Sequence, residues 1–253
     1  LHTAIHSFPT RRSSDLQHWL GPGDSASDSL QSVPGGSICR SFLLRRGDGS
    51  RLFIKLHDDP PADLFASEAA SLHALDAAGT GLRIPLPLFV CRTALVLPFI
   101  DACAPPPRYW QTLGEGLARL HRQTAPAFGL DRPTYCGLTR QDNTPCADGH
   151  EFFRERRLLH LATLCNVAGL LPTADRHDLE RLATRLPRLI PAQPASLLHG
   201  DLWFGNQFAA ADGVPVLVDP ATCHGWREAD LAMTTLFGHF PADFYDAYAQ
   251  SWP

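Results

Sequence analysis

The chain has 253 residues, of which 44% are hydrophobic and 19% are charged, and its formal net charge at pH 7 is −4. This composition can build one large domain or two lobes with a sizeable core. It gives no electrostatic basis for binding nucleic acid or an anionic membrane. The longest apolar runs fall far short of the ~20 residues that cross a bilayer. We therefore expect neither a nucleic-acid nor a membrane partner.

The cysteines show neither a Cys-x-x-Cys pair nor a regular spacing. This pattern predicts neither a disulfide framework nor a zinc site. It is typical of reduced thiols, and we therefore expect a cytoplasmic protein. The seven are Cys39, Cys91, Cys103, Cys136, Cys146, Cys165 and Cys223.

The first sixteen residues, LHTAIHSFPTRRSSDL, resemble a translated sequencing adapter. An Arg- and Ser-rich targeting peptide is the alternative, but the match to the adapter is too long for that. We therefore treat residues 1–16 as a non-native segment and expect the natural chain to start at or before Gln17.

Residues 17–101 predict a small antiparallel sheet with one helix. Gly47-Asp48-Gly49 is typical of a hairpin turn, and Pro85 and Pro87 mark an edge strand. Gly35, Gly36 and Ser37 form a further turn, in which glycines would let backbone N–H groups approach phosphates. An ordinary hairpin is the alternative for that turn. The β-like runs are Leu30–Val33, Ile38–Arg45, Arg51–His57, Ile84–Val90 and Thr93–Ile100.

Lys55 stands inside an apolar strand, where lysine is rarely buried without a partner. The following helix, predicted over Ala62–Ala78, places Glu68 on the same face as Leu64 and Leu72. A carboxylate on an apolar face is the nearest candidate partner for Lys55, although an incidental surface glutamate is the alternative. A strand lysine paired with a helix glutamate and aimed at nucleotide phosphates is the arrangement of kinase-like lobes.

A change of composition at Ala102–Pro107 separates residues 17–101 from residues 102–253. We interpret Leu97–Asp101, which includes Phe99, as a hinge whose backbone would meet an adenine ring. Beyond it the apolar spacing becomes helical. Residues 131–148 predict a long irregular loop, a candidate for acceptor specificity. The apolar spacing predicts helices near Trp110–Arg122, His150–Ala168, Leu179–Leu189, Glu228–Phe237 and Phe244–Trp252.

The most informative stretch runs from Leu197 to Asp219. An apolar strand leads into His199-Gly200-Asp201, Asn206 follows five residues later, and a second strand ends at Asp219. Phosphoryl transfer needs one carboxylate to orient the attacking hydroxyl, and an amide and a second carboxylate to hold Mg²⁺. A polar hairpin with an aspartate at each end is the alternative, but the combined spacing favours the kinase-like site.

Three segments closely resemble the fructosamine kinase (ketosamine 3-kinase) family: L-L-H-G-D-L-W-F-G-N at 197–206, V-D-P-A at 218–221 and G-W-R-E-A-D-L-A-M-T-T-L-F-G-H-F at 225–240. Weaker matches in the expected order are G-G-S-I at 35–38, L-F-I-K at 52–55, F-G-L at 128–130, Q-D-N at 141–143 and F-F-R-E-R-R-L at 152–158. The resemblance implies an α+β, two-lobed, protein-kinase-like fold. The N-lobe would be a small antiparallel sheet with one helix, and the mainly helical C-lobe would carry a catalytic hairpin.

The resemblance also implies a role for each candidate residue. Asp201 would orient the sugar hydroxyl and accept its proton, and Asn206 and Asp219 would ligate Mg²⁺. Asp230 and His199 would support the loop, whereas Trp203 could be a core aromatic or could shape the sugar pocket. The nucleotide site would comprise Gly35, Gly36 and Ser37 over the phosphates, Lys55 on the phosphates, Glu68 fixing Lys55, and Leu97 and Phe99 at the hinge.

The function implied is an ATP- and Mg²⁺-dependent kinase acting on a small-molecule ketosamine or glycated amine in deglycation repair, as a monomer or weak dimer. The alternatives are another phosphotransferase of the aminoglycoside- and choline-kinase-like group, or a catalytically inactive nucleotide-binding fragment. Relatives continue beyond the position of Pro253, so we expect the large lobe to be truncated at its end.

Overall fold

The computed structural model describes residues 14–21, 28–34 and 38–253. A smaller lobe is built around an antiparallel sheet, and a larger lobe is mainly helical. This is the two-lobed α+β fold that the sequence predicts.

Five antiparallel strands form the sheet of the smaller lobe: β1 Ser29–Val33, β2 Arg40–Arg45, β3 Arg51–Leu56, β4 Phe89–Cys91 and β5 Ala94–Pro98. The order across the sheet is β1-β2-β3-β5-β4. Gly49, with φ +85°, closes the predicted turn between β2 and β3. A positive φ at this point favours glycine, because other residues are strained there.

The predicted strand Ile84–Val90 is wrong over most of its length, since only its last two residues belong to β4. Pro85 and Pro87 carry no backbone N–H and cannot donate to a strand ladder. Ile84 is instead buried in the core. The edge position that the prolines predicted is nevertheless occupied by β4.

Alternation along β3 decides which side chains face the active site. Ile54 and its neighbours two residues away pack on the outer face of the sheet. Phe53 and Lys55 therefore point to the opposite face, because successive side chains of a strand alternate. A short helix α1, Ser14–Leu20, covers the outer face of the sheet. Helix α2, Leu64–Ala77, covers the inner face.

Helix α1 begins inside the segment that resembles an adapter. Its Leu16 is fully buried, and Leu20 is 5% exposed, both against the outer face of the sheet. Trp19 stacks on Phe89 at 5.1 Å between ring centroids. The proposed boundary after residue 16 thus lies within a packed helix, whereas residues 1–13 lie outside the described residues.

The larger lobe packs helix α3, Tyr109–His121, against the last helix of the chain. The buried stripe Leu113, Leu117 and Leu120 forms the centre of the core. Gly114 allows the close approach, because a Cβ there would lie 2.3 Å from the main-chain oxygen of Phe244. The other helices are α4 Gly149–Phe152, the π-helical turns Phe153–Leu159, α5 His160–Val167, α6 Thr173–Ala183, α7 Leu186–Leu189, α8 Glu228–Leu236 and α9 Ala242–Ser251.

Two of the helices predicted from apolar spacing differ in detail. The His150–Ala168 helix contains π-helical turns, whose wider winding shifts the expected face, and Leu158 and Leu159 are only half-buried. The Leu179–Leu189 helix is broken into α6 and α7, and Pro187 starts the second piece. Leu189 is consequently 60% exposed instead of forming part of the core.

The stretch from Leu197 to Asp219 spans two small sheets rather than one hairpin. One sheet comprises β7 Thr124–Ala125, β10 Ala195–Leu198 and β13 Cys223–Gly225; the other comprises β6 Ala102–Cys103, β11 Gln207–Ala210 and β12 Pro215–Leu217. The strand before the His-Gly-Asp loop therefore pairs with β7 and β13, and only β11 and β12 form the hairpin.

The 131–148 segment, predicted to be irregular, contains a further hairpin. Strands β8, Thr134–Cys136, and β9, Thr139–Gln141, pair antiparallel around a two-residue turn. Gly137 opens that turn with φ +63°, which glycine adopts without strain. We call residues 134–141 the interlobe hairpin.

Replacing Leu16 with Ala should lower the free energy of unfolding by about 2–4 kcal/mol, because it leaves a cavity beneath the sheet. Leu170→Ala is the matched control, since Leu170 is 78% exposed and should change stability by less than about 0.5 kcal/mol. Urea denaturation followed by circular dichroism measures both. Equal effects of the two substitutions would contradict the packing of α1.

Candidate active site

The predicted lysine–glutamate pair is confirmed. Lys55, in β3, places its Nζ 2.7 Å from Oε1 of Glu68, in α2. The same Nζ lies 3.0 Å from Oδ1 of Asp219, which follows β12 in the larger lobe. Three predicted site residues from three separate elements therefore meet at one ammonium group.

The surroundings of Lys55 keep it charged. Its side chain is buried, and burial alone would lower its pKa, but attraction to Glu68 and Asp219 outweighs burial and raises the pKa above its ordinary value. The Glu68 side chain is 12% exposed and that of Asp219 is 41% exposed. Glu68 can thus anchor the lysine while Asp219 faces a ligand.

Asp219 has an unusual backbone conformation. Its φ is +56°, and Arg108, with φ +68°, is the only other described non-glycine residue with a positive φ. Holding a non-glycine residue there costs of order 1–3 kcal/mol and persists only where the surroundings impose it. The strain turns the chain sharply after β12 and directs the carboxylate towards Lys55.

Asp201 and Asn206 bond to each other within the loop between β10 and β11. Nδ2 of Asn206 donates to the main-chain oxygen of Asp201 at 2.8 Å and to its Oδ2 at 3.1 Å. Burial raises the pKa of Asp201 above its ordinary value, although His199 and hydrogen bonds from Cys136 and Asn206 act against this. A raised pKa makes this carboxylate a stronger base.

Gly200 is required where it stands in this loop. Its φ is +84°, and a Cβ at this position would lie 2.1 Å from the main-chain oxygen of Ala221. Any side chain would force the loop away from the irregular segment between β12 and β13 that contains Ala221. The glycine therefore fixes how closely Asp201 can approach Asp219.

The donor atoms fit a magnesium ion bound together with a nucleotide. Because Nδ2 of Asn206 is directed at Asp201, its Oδ1 is the atom that it can offer to a cation. The main-chain N–H of Val218 donates to the main-chain oxygen of Asn206 at 3.1 Å. This bond places Asp219, the residue after Val218, beside Asn206. Mg²⁺ prefers oxygen ligands and takes only one or two protein carboxylates.

Asp230, in α8, holds the main chain of the loop between β10 and β11, as expected. Its Oδ2 accepts from His199 N–H at 2.7 Å and its Oδ1 from Gly200 N–H at 2.9 Å. His121 lies 3.1 Å away and also contacts the Tyr248 hydroxyl at 2.8 Å. Burial opposes ionisation of Asp230, but the bond to His121 and the other contacts outweigh it and lower its pKa.

His199 is a structural residue, as the sequence suggested. It is fully buried, and its Nε2 donates to the main-chain oxygen of Val218 at 3.0 Å. Its Nδ1 accepts from the Asp201 N–H at 3.3 Å. Burial lowers the pKa of His199, so the ring is neutral and links the two sides of the loop.

Trp203 is not a core residue. It is half-buried, and its ring meets that of Phe237 edge-on with 5.4 Å between centroids. Phe237 is 65% exposed and Phe204 is 49% exposed. Trp203 and Phe204 follow Asp201 closely along the chain, so this exposed aromatic cluster lies near Asp201.

Arg227 binds the end of the described chain. Its guanidinium lies 4.5 Å from the ring centre of Trp252 and donates to the main-chain oxygens of Trp252 and Pro253. Its neighbour Glu228 accepts from Gln193 at 2.9 Å. Both side chains therefore bind residues of the larger lobe itself.

The other residues predicted to bind the nucleotide are those of the segment 35–37 and Leu97 and Phe99. Gly35, Gly36 and Ser37 lie outside the described residues. The Leu97 side chain is buried in the core, and its backbone pairs with Phe53. Phe99 donates its N–H to the oxygen of Arg51 at 3.0 Å and lies beneath that arginine's guanidinium.

Cys39 lies close enough to Lys55, Glu68 and Asp219 to interact with them electrostatically. Burial raises the pKa of its thiol to about 11. The thiolate, which is the reactive form, is therefore scarce at neutral pH. We therefore expect the Cys39 thiol to be unreactive at neutral pH.

The sequence did not identify the interlobe hairpin. Its Cys136 hydrogen-bonds with Asp201, and burial raises the pKa of Cys136 to about 11. Asn143 and Arg157, from two of the weaker motifs, bond to each other at 2.6 Å below the hairpin. The alternation in T-Y-C-G-L-T-R-Q, with glycine at its centre, is the signal that could have revealed it.

A strand lysine held by a helix glutamate, a carboxylate–amide loop and a strand-end aspartate, joined in two lobes, define the class of kinase-like phosphotransferases. The chain belongs to the fructosamine kinase family, whose sequence profile matches residues 13–253. It is accordingly a small-molecule kinase, a phosphotransferase with an alcohol group as acceptor.

Named relatives agree with this assignment. A protein of Thermus thermophilus named as a probable ketoamine kinase is 35% identical over 221 residues, covering 87% of this chain and 77% of that protein. One of Synechocystis with the same description is 36% identical, covering 86% and 74%. A crystal structure from Thermobifida fusca, provisionally named fructosamine-3-kinase, is 31% identical with a TM-score of 0.78, covering 88% and 78%.

None of the helices in the described part of the chain combines the length and the apolar character needed to cross a membrane. The seven cysteines, all of which lie within the described residues, are free thiols.

Replacing Asp230 with Asn should destabilise the fold by about 2–4 kcal/mol at pH 7, because two main-chain N–H donors lose a charged acceptor. The folded-state pKa of Asp230 is lowered, so its contribution is complete above the unfolded value of about 3.9 and is lost as pH falls through the folded value. The difference from wild type should therefore shrink below about pH 4. Urea titrations between pH 3 and 7 measure it; a pH-independent difference would contradict the ionised state of Asp230.

Proposed function

We propose that this protein uses ATP and Mg²⁺ to phosphorylate a sugar hydroxyl of a ketosamine, such as a fructosamine or ribulosamine. The observation that carries the proposal is the contact of Lys55 Nζ with both Glu68 and Asp219. It joins the nucleotide-facing strand of one lobe to the metal-ligand candidate of the other. Membership of the fructosamine kinase family supports the acceptor class.

Each polar group has one task in this proposal. Asp201 orients the acceptor hydroxyl and takes its proton, while the hydroxyl oxygen bonds to the γ-phosphorus and the bond to ADP breaks. Lys55 contacts the nucleotide phosphates, and Glu68 fixes its position. Asn206 Oδ1 and the Asp219 carboxylate would hold Mg²⁺, which when bound neutralises charge on the triphosphate.

Two further segments would contact the adenine and the phosphates of the nucleotide. Gly35, Gly36 and Ser37 would cover the phosphates with backbone N–H groups. The backbone at Leu97 and Phe99 would meet the adenine ring, since this segment connects the two lobes. Both assignments rest on the family resemblance and on the order of the elements.

The biological consequence would be deglycation repair in the cytoplasm. Phosphate leaves a sugar carbon more readily than hydroxide, so a phosphorylated adduct decomposes more easily and releases its amine. The free thiols are compatible with a reducing compartment.

Asp201→Asn should lower kcat by roughly 10²–10⁴-fold with little change in the KM for Mg·ATP, because the hydroxyl loses its base. Release of ADP is followed with fructosamine, ribulosamine, an aminoglycoside and choline as acceptors. Asp178→Asn, on the exposed face of α6, is the matched control. Turnover of the aminoglycoside or choline alone would assign the protein to a sister group of phosphotransferases, and ATP binding without turnover would make it a non-catalytic binder.

The pH dependence of kcat/KM should also reflect the raised pKa of Asp201. Because burial raises its pKa, kcat/KM should begin to fall at a higher pH than the ~3.9 of an ordinary aspartate, tenfold per unit of pH below the pKa. The profile is measured from pH 4 to 8 wherever circular dichroism shows the chain to be folded. A rate that stays flat down to pH 4 would exclude Asp201 as the base.

A further inference from the structure

The interlobe hairpin bonds directly to the helix that carries Glu68. Oγ of Ser67 donates to the main-chain oxygen of Pro133, just before the hairpin, at 2.6 Å. The hydroxyl of Tyr135 donates to Oδ1 of Asp63 at 2.5 Å. Asp63 and Ser67 are four residues apart and so lie one above the other on the same helical face. Both bonds thus hold the turn of α2 that leads into Glu68.

The two bonds are built into the fold. Asp63 is the residue before the first turn of α2, where an aspartate ordinarily caps the helix by accepting main-chain N–H bonds. It makes no such side-chain cap, and its carboxylate accepts from Tyr135 instead. Ser67 is 5% exposed. Burial and the bond to Asp63 raise the pKa of Tyr135 to about 12, so its hydroxyl remains a donor at neutral pH.

The base of the hairpin is fixed in the larger lobe. Oγ1 of Thr134 accepts from Asn143 Nδ2 at 2.9 Å, and Asn143 Oδ1 accepts from Arg157 at 2.6 Å. Thr134 also donates to the oxygen of Ala221, two residues beyond Asp219, at the long distance of 3.4 Å. The hairpin is therefore tied to the segment that carries Asp219.

The tip of the hairpin reaches the nucleotide side of the site. A Cβ on Gly137 would lie 3.0 Å from Cδ1 of Ile38, the residue after Gly35, Gly36 and Ser37, which the sequence predicts to cover the phosphates. Cys136, one residue earlier, interacts with Asp201. One hairpin therefore approaches the helix of Glu68, Ile38 and the candidate base Asp201.

We propose that the interlobe hairpin holds α2 in the position where Glu68 fixes Lys55, with Tyr135 and Ser67 as positioning residues for nucleotide binding. Kinase-like sites work only when the helix glutamate reaches the strand lysine. Here the larger lobe supplies that constraint through two hydrogen bonds to the first turns of the helix. Loss of either bond frees the start of α2. Glu68 then no longer holds Lys55, which keeps only Asp219 as a partner. This inference rests on the proposed function.

The test is Tyr135→Phe, which removes the hydroxyl but keeps the ring. Its KM for Mg·ATP should rise roughly 3–10-fold, within the limit set by one charge-assisted hydrogen bond, while the ketosamine KM stays within about twofold. Hydrogen exchange at the amides of residues 64–68 should quicken. A purely structural loosening would raise both KM values together or lower only the melting temperature, and either result would overturn the proposal.

Three further variants, one of them a control, test the same bonds. Tyr245→Phe removes a tyrosine bond to Thr234 within the larger lobe and should leave the KM for Mg·ATP unchanged. Asp63→Asn with Tyr135→Phe should weaken nucleotide binding no more than the stronger single variant, because both disrupt one bond. If Tyr135→Phe does not fold, Ser67→Ala tests the second bond, and unchanged nucleotide affinity in that variant would also overturn the proposal.

A binding measurement distinguishes failure of the positioning role from failure of the proposed function. Titration calorimetry with Mg·ADP measures nucleotide affinity without any acceptor. If the wild-type chain phosphorylates no ketosamine but binds Mg·ADP, the proposed acceptor is wrong, while a 3–10-fold loss of affinity in Tyr135→Phe would still support the positioning role. Equal affinity of the two proteins would refute it whatever the acceptor.

Discussion

The two lobes meet around one buried ammonium group. Lys55 needs compensating charge because a buried cation without it is strongly unfavourable, and its partners come from different lobes, Glu68 from α2 and Asp219 from the end of β12. Alternation along β3 turns the lysine inwards, and the left-handed backbone at Asp219 turns the second carboxylate to meet it. The relative placement of these three side chains thus follows from satisfying one charge.

Asp201 and Asp230 show how the environment shifts the pKa values of two aspartates in opposite directions. Asp230 receives hydrogen bonds from two main-chain N–H groups and contacts His121, so its pKa is lowered and it remains an ionised support. Asp201 is desolvated with fewer compensating contacts, so its pKa is raised. Such divergence commonly marks the difference between a structural carboxylate and a catalytic one. Here the divergence is consistent with the roles that the family resemblance implies for Asp201 and Asp230.

The interlobe hairpin connects these two centres. It is rooted through Thr134 beside the Asp219 segment, approaches Asp201 with Cys136, and reaches α2 with Tyr135. Each contact is modest by itself, but together they leave the lysine, its glutamate and the candidate base few ways to move independently. In a fructosamine kinase family member, the larger lobe would thereby set the nucleotide geometry of the smaller one.

Local patterns alone were enough to predict the strands around Lys55, the helix of Glu68 and the order of Asp201, Asn206 and Asp219, because strand alternation, helical spacing and turn chemistry act over a few residues. They could not assign β10 and the β11–β12 hairpin to different sheets, because pairing partners such as β7 and β13 are distant in sequence. The burial of Leu16 depends in the same way on packing against strands distant in sequence. The break at Pro187 is instead local, because proline favours the first turn of a helix over its interior, and apolar spacing alone revealed neither this break nor the π-helical turns. The link between Tyr135 and Asp63 spans 72 residues, and only the packing of the two lobes brings that donor and acceptor together.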